Sequence, residues 1–121
     1  MITSKIIQSI LLLPRQFHKL GNRSMYDLLK DAQYFEVFDE ITEENIYDVL
    51  KESPIDIIGD WMLLSEDKRT NEGWAFGEKK EGGYSVAYVS LGKVLKELTF
   101  TDQKLACAAF IKREIETIRT I

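Results

Sequence analysis

Apolar residues recur at helical spacing through the first half of the chain and alternate with polar ones through much of the second. Ile2, Ile6, Ile10 and Leu13 follow one another at intervals of four, four and three, with Ile7 and Leu11 beside them. That is the broad apolar face of a helix lying on a core. Pro14 is expected to end it, because proline restricts the residue before it and has no N–H to donate. After Gly21 and Asn22, Ser24 and Asp27 form an N-cap pair for a second helix that turns Leu28, Leu29 and Ala32 inward, and Tyr34 to Phe38 extends it. A third helix is announced by Thr42 as cap and by Ile41 and Ile46 as a hydrophobic staple, so that Ile46, Val49 and Leu50 face the core. Ser53-Pro54 stops this helix and starts a short turn through Ile55, Ile57 and Ile58 to Gly59.

From Trp61 the period changes to two, and four stretches read as strands: Trp61–Ser65, Trp74–Glu78, Tyr84–Ser90 and Val94–Phe100. Lys79-Lys80-Glu81-Gly82-Gly83 and Leu91-Gly92-Lys93 supply turn chemistry between them, which makes an antiparallel meander the simplest topology. The last segment reads as a helix capped by Thr101, stapled by Phe100 and Leu105, with Leu105, Ala108, Ile111, Ile115 and Ile118 inward. The predicted fold is α+β: N-terminal helices followed by a four-stranded antiparallel meander closed by a C-terminal helix, in one domain over residues 1–121.

A chain of 121 residues with 45% hydrophobic and 30% charged residues has the composition of a globular domain that needs no cross-links. Its one cysteine, Cys107, can make neither an internal disulfide nor a cysteine-rich metal site, so nothing points to an oxidising compartment and the cytoplasm is the default expectation. The apolar run Ile6 to Leu13 is interrupted by Gln8 and Ser9 and closed by Pro14. It is too short for a bilayer, which takes about 20 apolar residues, and makes a poor signal peptide, so no membrane partner is expected. Net charge is only -4, but residues 31–60 hold ten acids against one base, Lys51, and the rest of the chain is net basic. Such a field disfavours nucleic acid as partner and favours a basic protein.

Residues suited to catalysis are sparse. A Ser or Cys nucleophile needs a base, and the one histidine, His18, falls in a polar loop after Pro14. Cys107, between Ala106 and Ala108, reads as a small core residue whose burial opposes thiolate formation. Gly82-Gly83 lies between two strands, which suits a hairpin and not a phosphate loop. Asp39, Ile41 and Glu43 lack the spacing of a calcium loop, and no His or Cys is paired. No metal, cofactor or enzymatic activity is therefore expected. Asp56 and Asp60, beside apolar residues, leave a small carboxylate-pair hydrolase as a third reading.

Glu44, Asp48 and Glu52 stand at i, i+4 and i+8 on the third helix, opposite Ile46, Val49 and Leu50, with Tyr47 alongside. Like charges at this spacing cost a helix a few tenths of a kcal/mol per pair, only partly offset by the helix dipole. The strip is either a solvated face or a binding surface. As a binding surface, extended by Asp39, Glu40 and Glu43, it steers and holds a cationic partner with Tyr47 as aromatic anchor. Trp61 and Trp74 divide the same way between core residues and interface anchors, and the run Ser65 to Gly73 reads as a polar turn with locally paired charges.

Trp61, the run Ser65-Glu66-Asp67-Lys68-Arg69, Gly73-Trp74, Tyr84-Ser85-Val86, and Phe100-Thr101-Asp102 leading to Ala106-Cys107-Ala108-Ala109-Phe110-Ile111 resemble small bacterial immunity proteins. These are the cognate inhibitors of contact-dependent growth inhibition and related polymorphic toxin systems, and the resemblance spans roughly residues 60–118. It implies a cytoplasmic protein that binds a toxin domain delivered by a neighbouring cell, often a basic nuclease, and covers its active site or substrate groove. It supplies no binding residues of its own. An intracellular adaptor acting through the wide apolar face of the first helix is the alternative reading.

Overall fold

The computed structural model describes residues 2–67 and 72–120. Among these residues the elements are α1 (Ile2–Leu11), α2 (Leu13–Leu20), α3 (Met25–Asp31), α4 (Tyr34–Val37), α5 (Glu43–Lys51), α6 (Asp56–Asp67), β1 (Glu72–Glu78), β2 (Tyr84–Ser90), β3 (Lys93–Phe100) and α7 (Gln103–Arg119). The sheet has three strands in the order β1-β2-β3, antiparallel throughout. The expected fourth strand, Trp61–Ser65, is instead part of α6. Ile57, Ile58, Trp61 and Leu64 are buried at i, i+1, i+4 and i+7, a helical stripe whose packing against α2 and α7 outweighs the local strand signal. Gly59, read as the end of a turn, is an exposed helical residue, at a cost of about 1 kcal/mol relative to alanine. The expected polar turn from Ser65 to Gly73 is replaced at its ends by α6 and β1, and its residues 68–71 lie outside the described residues.

Local capping chemistry sets most of the helix starts. Ser24 caps α3 by accepting from the Asp27 N–H at 3.0 Å, and Thr42 and Asn45 form a reciprocal capping box on α5. Three boundaries differ from expectation. Pro14 does not close a helix but sits in the first turn of α2, where its missing N–H has no helical partner to lose, so His18 is helical and exposed. Gln33 adopts a left-handed φ of 71 and separates α4 from α3, so Tyr34 to Val37 form their own turn of helix. Asp102, not Thr101, caps α7 by accepting from the N–H groups of Lys104 and Leu105, which leaves Leu105 42% exposed and not in the core.

The core is built around α7. This helix packs against α3, α5 and α6 and against all three strands, and its run Ala106 to Ile111 is buried throughout. Four small residues in succession, Ala106 to Ala109, let elements approach from several sides. Phe110 stacks on Phe76 of β1 with ring centroids 5.6 Å apart and meets Trp61 edge-on at 6.2 Å. The buried Trp61 indole donates to the Leu11 carbonyl at 3.0 Å, satisfying a carbonyl that the end of α1 leaves open. At the β1 edge, Ser65 Oγ of α6 accepts from the Phe76 N–H at 2.8 Å. No helix among the described residues is long and apolar enough to cross a membrane.

Candidate functional site

The residues nominated for catalysis are engaged elsewhere. Arg15 of α2 donates from Nε to Asp60 at 3.0 Å and from Nη2 to Asp56 at 3.2 Å, so the two carboxylates fasten α6 to α2. Cys107 is fully buried, and burial pushes its thiol up to about 12. Among the described residues no three His, Cys, Asp or Glu side chains are grouped so that they could hold a metal ion.

The acidic strip divides into an inward and an outward part. Glu43, in the first turn of α5, is ion-paired with Arg113 of α7, whose guanidinium also lies 5.3 Å from the centre of the Trp74 ring. Tyr47 is half-buried: its hydroxyl donates to Asp102 at 3.3 Å and the Lys51 ammonium sits 4.8 Å from its ring centre. Both residues therefore tie α5 to its own molecule. The Glu44 and Glu52 side chains are exposed and make no hydrogen bond or ion pair among the described residues; Asp48 meets Lys51 at 3.3 Å across the surface. An exposed pair of this kind contributes at most about 1 kcal/mol and is readily exchanged for a partner's cation.

Asp39 and Glu40 lie on the exposed turn after α4. That turn is held down by a polar network on α7. Tyr34 donates its hydroxyl proton to Glu116, Lys112 donates to Tyr34 Oη at 2.7 Å and to the Phe38 carbonyl at 2.9 Å, and Arg119 donates twice to Glu116. The Arg119 guanidinium also covers the Phe38 ring at 3.7 Å. The Arg119 hydrogen bonds hold the Glu116 carboxyl below its ordinary value, whereas burial lowers the Lys112 ammonium and raises the Tyr34 phenol.

Next to the outward carboxylates runs a furrow that spacing alone did not disclose. α1 and α5 pack together, and two clefts open along α1, the first against α5 and the second, where α1 gives way to α2, against residues 52–54 and α6. The first, about 200 Å³, is bounded by Thr3, Ser4 and Ile7 on one side and Asn45, Asp48 and Val49 on the other. The second, about 330 Å³, has Leu11, Leu12, Pro54 and Ile57 along its apolar wall, with Gln8 and Glu52 on opposite lips. Ile55, 71% exposed, stands just beyond Pro54. The sequence carries a faint signal for this place, an isoleucine after a helix-stopping proline at the end of the acidic strip. The wide apolar face of α1 has a plainer explanation, since Ile6, Ile7, Ile10 and Leu11 are all buried in the core.

No family model, curated protein or solved structure matches this chain, so the resemblance to immunity proteins keeps only the footing of the residues quoted for it.

Proposed function

We propose that this protein is a stoichiometric inhibitor of a basic protein, an immunity protein that neutralises a cognate bacterial toxin domain by covering it, with a nuclease as the best-suited target. The observation that carries this reading is the outward face of α5 and its C-cap, where Glu44 and Glu52 meet no cation and Asp48 meets only a surface lysine among the described residues. A nuclease groove that binds phosphates is cationic, and carboxylates on a helix can occupy it in their place. Asp39 and Glu40 extend the same negative field, whereas Glu43 and Tyr47 serve by holding α5 in position. The proposed place of action is the cytoplasm, and the lone buried Cys107 is compatible with a reducing compartment.

The biological test is co-expression with the protein encoded next to this gene. A one-to-one complex and restored growth support the proposal, and a toxic neighbour that neither binds nor is neutralised rejects it. The surface test is charge reversal. Glu44→Lys combined with Asp48→Lys is expected to slow association by about tenfold or more at low salt, and to flatten its salt dependence, with the folding midpoint unchanged. Unchanged association kinetics reject the site.

A further inference from the structure

Charge hastens capture but does not hold a tight complex, since nanomolar affinity corresponds to about 12 kcal/mol and requires buried apolar anchors. We propose that the furrow between α1 and α5 receives an amphipathic helix of the partner protein, with aliphatic side chains in the two clefts and lysines or arginines against Asp48 and Glu52. This inference rests on the reading of the α5 face as a partner-binding surface.

The walls of the furrow favour that occupant. The floor is apolar: Ile7 in the first cleft and Leu11 and Ile57 in the second are core residues, and the less buried Val49, Leu12 and Pro54 offer the hydrocarbon that a ligand can reach. Its lips are unequal: Asp48 and Glu52 stand on the α5 side, and Thr3, Ser4 and Gln8, all uncharged, face them from α1. Among the described residues Arg15 is the one cation lining the second cleft, and it is already held by Asp56 and Asp60 and does not pair with Glu52. A ligand is thus asked for positive charge along one edge and hydrocarbon beneath it. Successive carboxylates four residues apart are separated by about 6 Å along the axis, the interval at which a second helix repeats its own side chains at i and i+4. Helix-in-groove docking uses that match of ridges and spacing. Ile55, exposed at the far end, gives the incoming helix an aliphatic contact beyond the clefts.

The probe is a synthetic peptide of leucine and lysine, with leucines at i, i+3, i+4 and i+7 and lysines flanking them, compared with a scrambled peptide of the same composition. Binding is read by calorimetry and by amide shifts of the full chain. The periodic peptide is expected to bind about tenfold more tightly than the scrambled one and to shift Ile7, Leu12 and Val49. Gln8→Trp, which fills the furrow at an exposed position without changing charge, and the pair Asp48→Asn with Glu52→Gln, which removes charge without changing shape, should each abolish that preference. Equal binding of the two peptides, or shifts confined to other surfaces, overturns the inference. Loss with the charge variant but not with Gln8→Trp also overturns it while leaving the acidic face as a binding surface. Indifference to both variants removes that reading as well. Peptide binding in the furrow without rescue of growth retains the docking site and rejects the immunity role.

Discussion

Leu91 is held at a φ of 53 at the tip of the β2–β3 hairpin, 80% exposed, with Gly92 beside it at 79. Two consecutive left-handed residues are what a two-residue hairpin of this hand requires, and Asn-Gly is the pair that adopts it with least cost. A leucine there sacrifices about 1–2 kcal/mol of backbone energy and gains no burial in return. Leu91→Asn is expected to raise stability by about 1 kcal/mol, seen as a higher urea midpoint at unchanged slope. An unaltered midpoint would show that the turn does not strain this residue. Some single residues are plain in the sequence. Thr42 and Ser24 act as caps because a cap is decided within four residues, and Cys107 is buried as a small side chain among alanines is expected to be.

At the scale of elements, hydrophobic period and capping specify the structure where they agree and mislead where they compete. Trp61 to Leu64 is an unbroken apolar run, which periodicity cannot assign, and Gly59 reads locally as punctuation. The i, i+1, i+4, i+7 stripe of Ile57, Ile58, Trp61 and Leu64 was the available signal for α6. Thr101 and Asp102 are adjacent cap formers, and only the structure distinguishes them. The outward strip of α5 was legible because it is a spacing within one helix. The pairing of Glu43 with Arg113 and the furrow beside α1 were not, since each joins segments remote in the chain. The tie between α4 and α7 yields a pH prediction. The Glu116 carboxyl titrates below its ordinary value of 4.5, so the stability its hydrogen bonds supply is present above that value and is lost as pH falls through the lower folded one. Glu116→Gln is expected to cost about 1–2 kcal/mol at neutral pH and to make the acid limb of the stability curve shallower. Thermal melts from pH 7 to pH 2 that are parallel for both proteins would refute this.

Across the whole molecule, the N-terminal helices and the sheet are organised on α7, and the acids of residues 31–60 are partly neutralised by distant cations. Arg23 meets Asp31, Arg15 meets Asp56 and Asp60, and Arg113 meets Glu43. What projects outward is therefore smaller than the charge count suggested, and concentrated on α5 and the turn before it. Because Cys107 is fully buried in the second turn of α7, its thiol should remain closed to a disulfide reagent until the whole core opens. Labelling is expected to follow the global unfolding rate measured by tryptophan fluorescence. Native-state labelling as fast as that of a free thiol would show that α7 loosens alone.

The position of α7 also bears on how the molecule comes into being. A nascent chain emerges from the ribosome with α1 to α6 first, and α7, which packs against α3, α5, α6 and the sheet, is made after them. Until residues 103 to 119 are released, Ile46 and Leu50 have no complete bed and the Arg113 clamp on Glu43 does not exist. A polypeptide that still lacks α7 therefore presents α5 without its clamp, and the proposed capture of a basic target waits on the making of that helix.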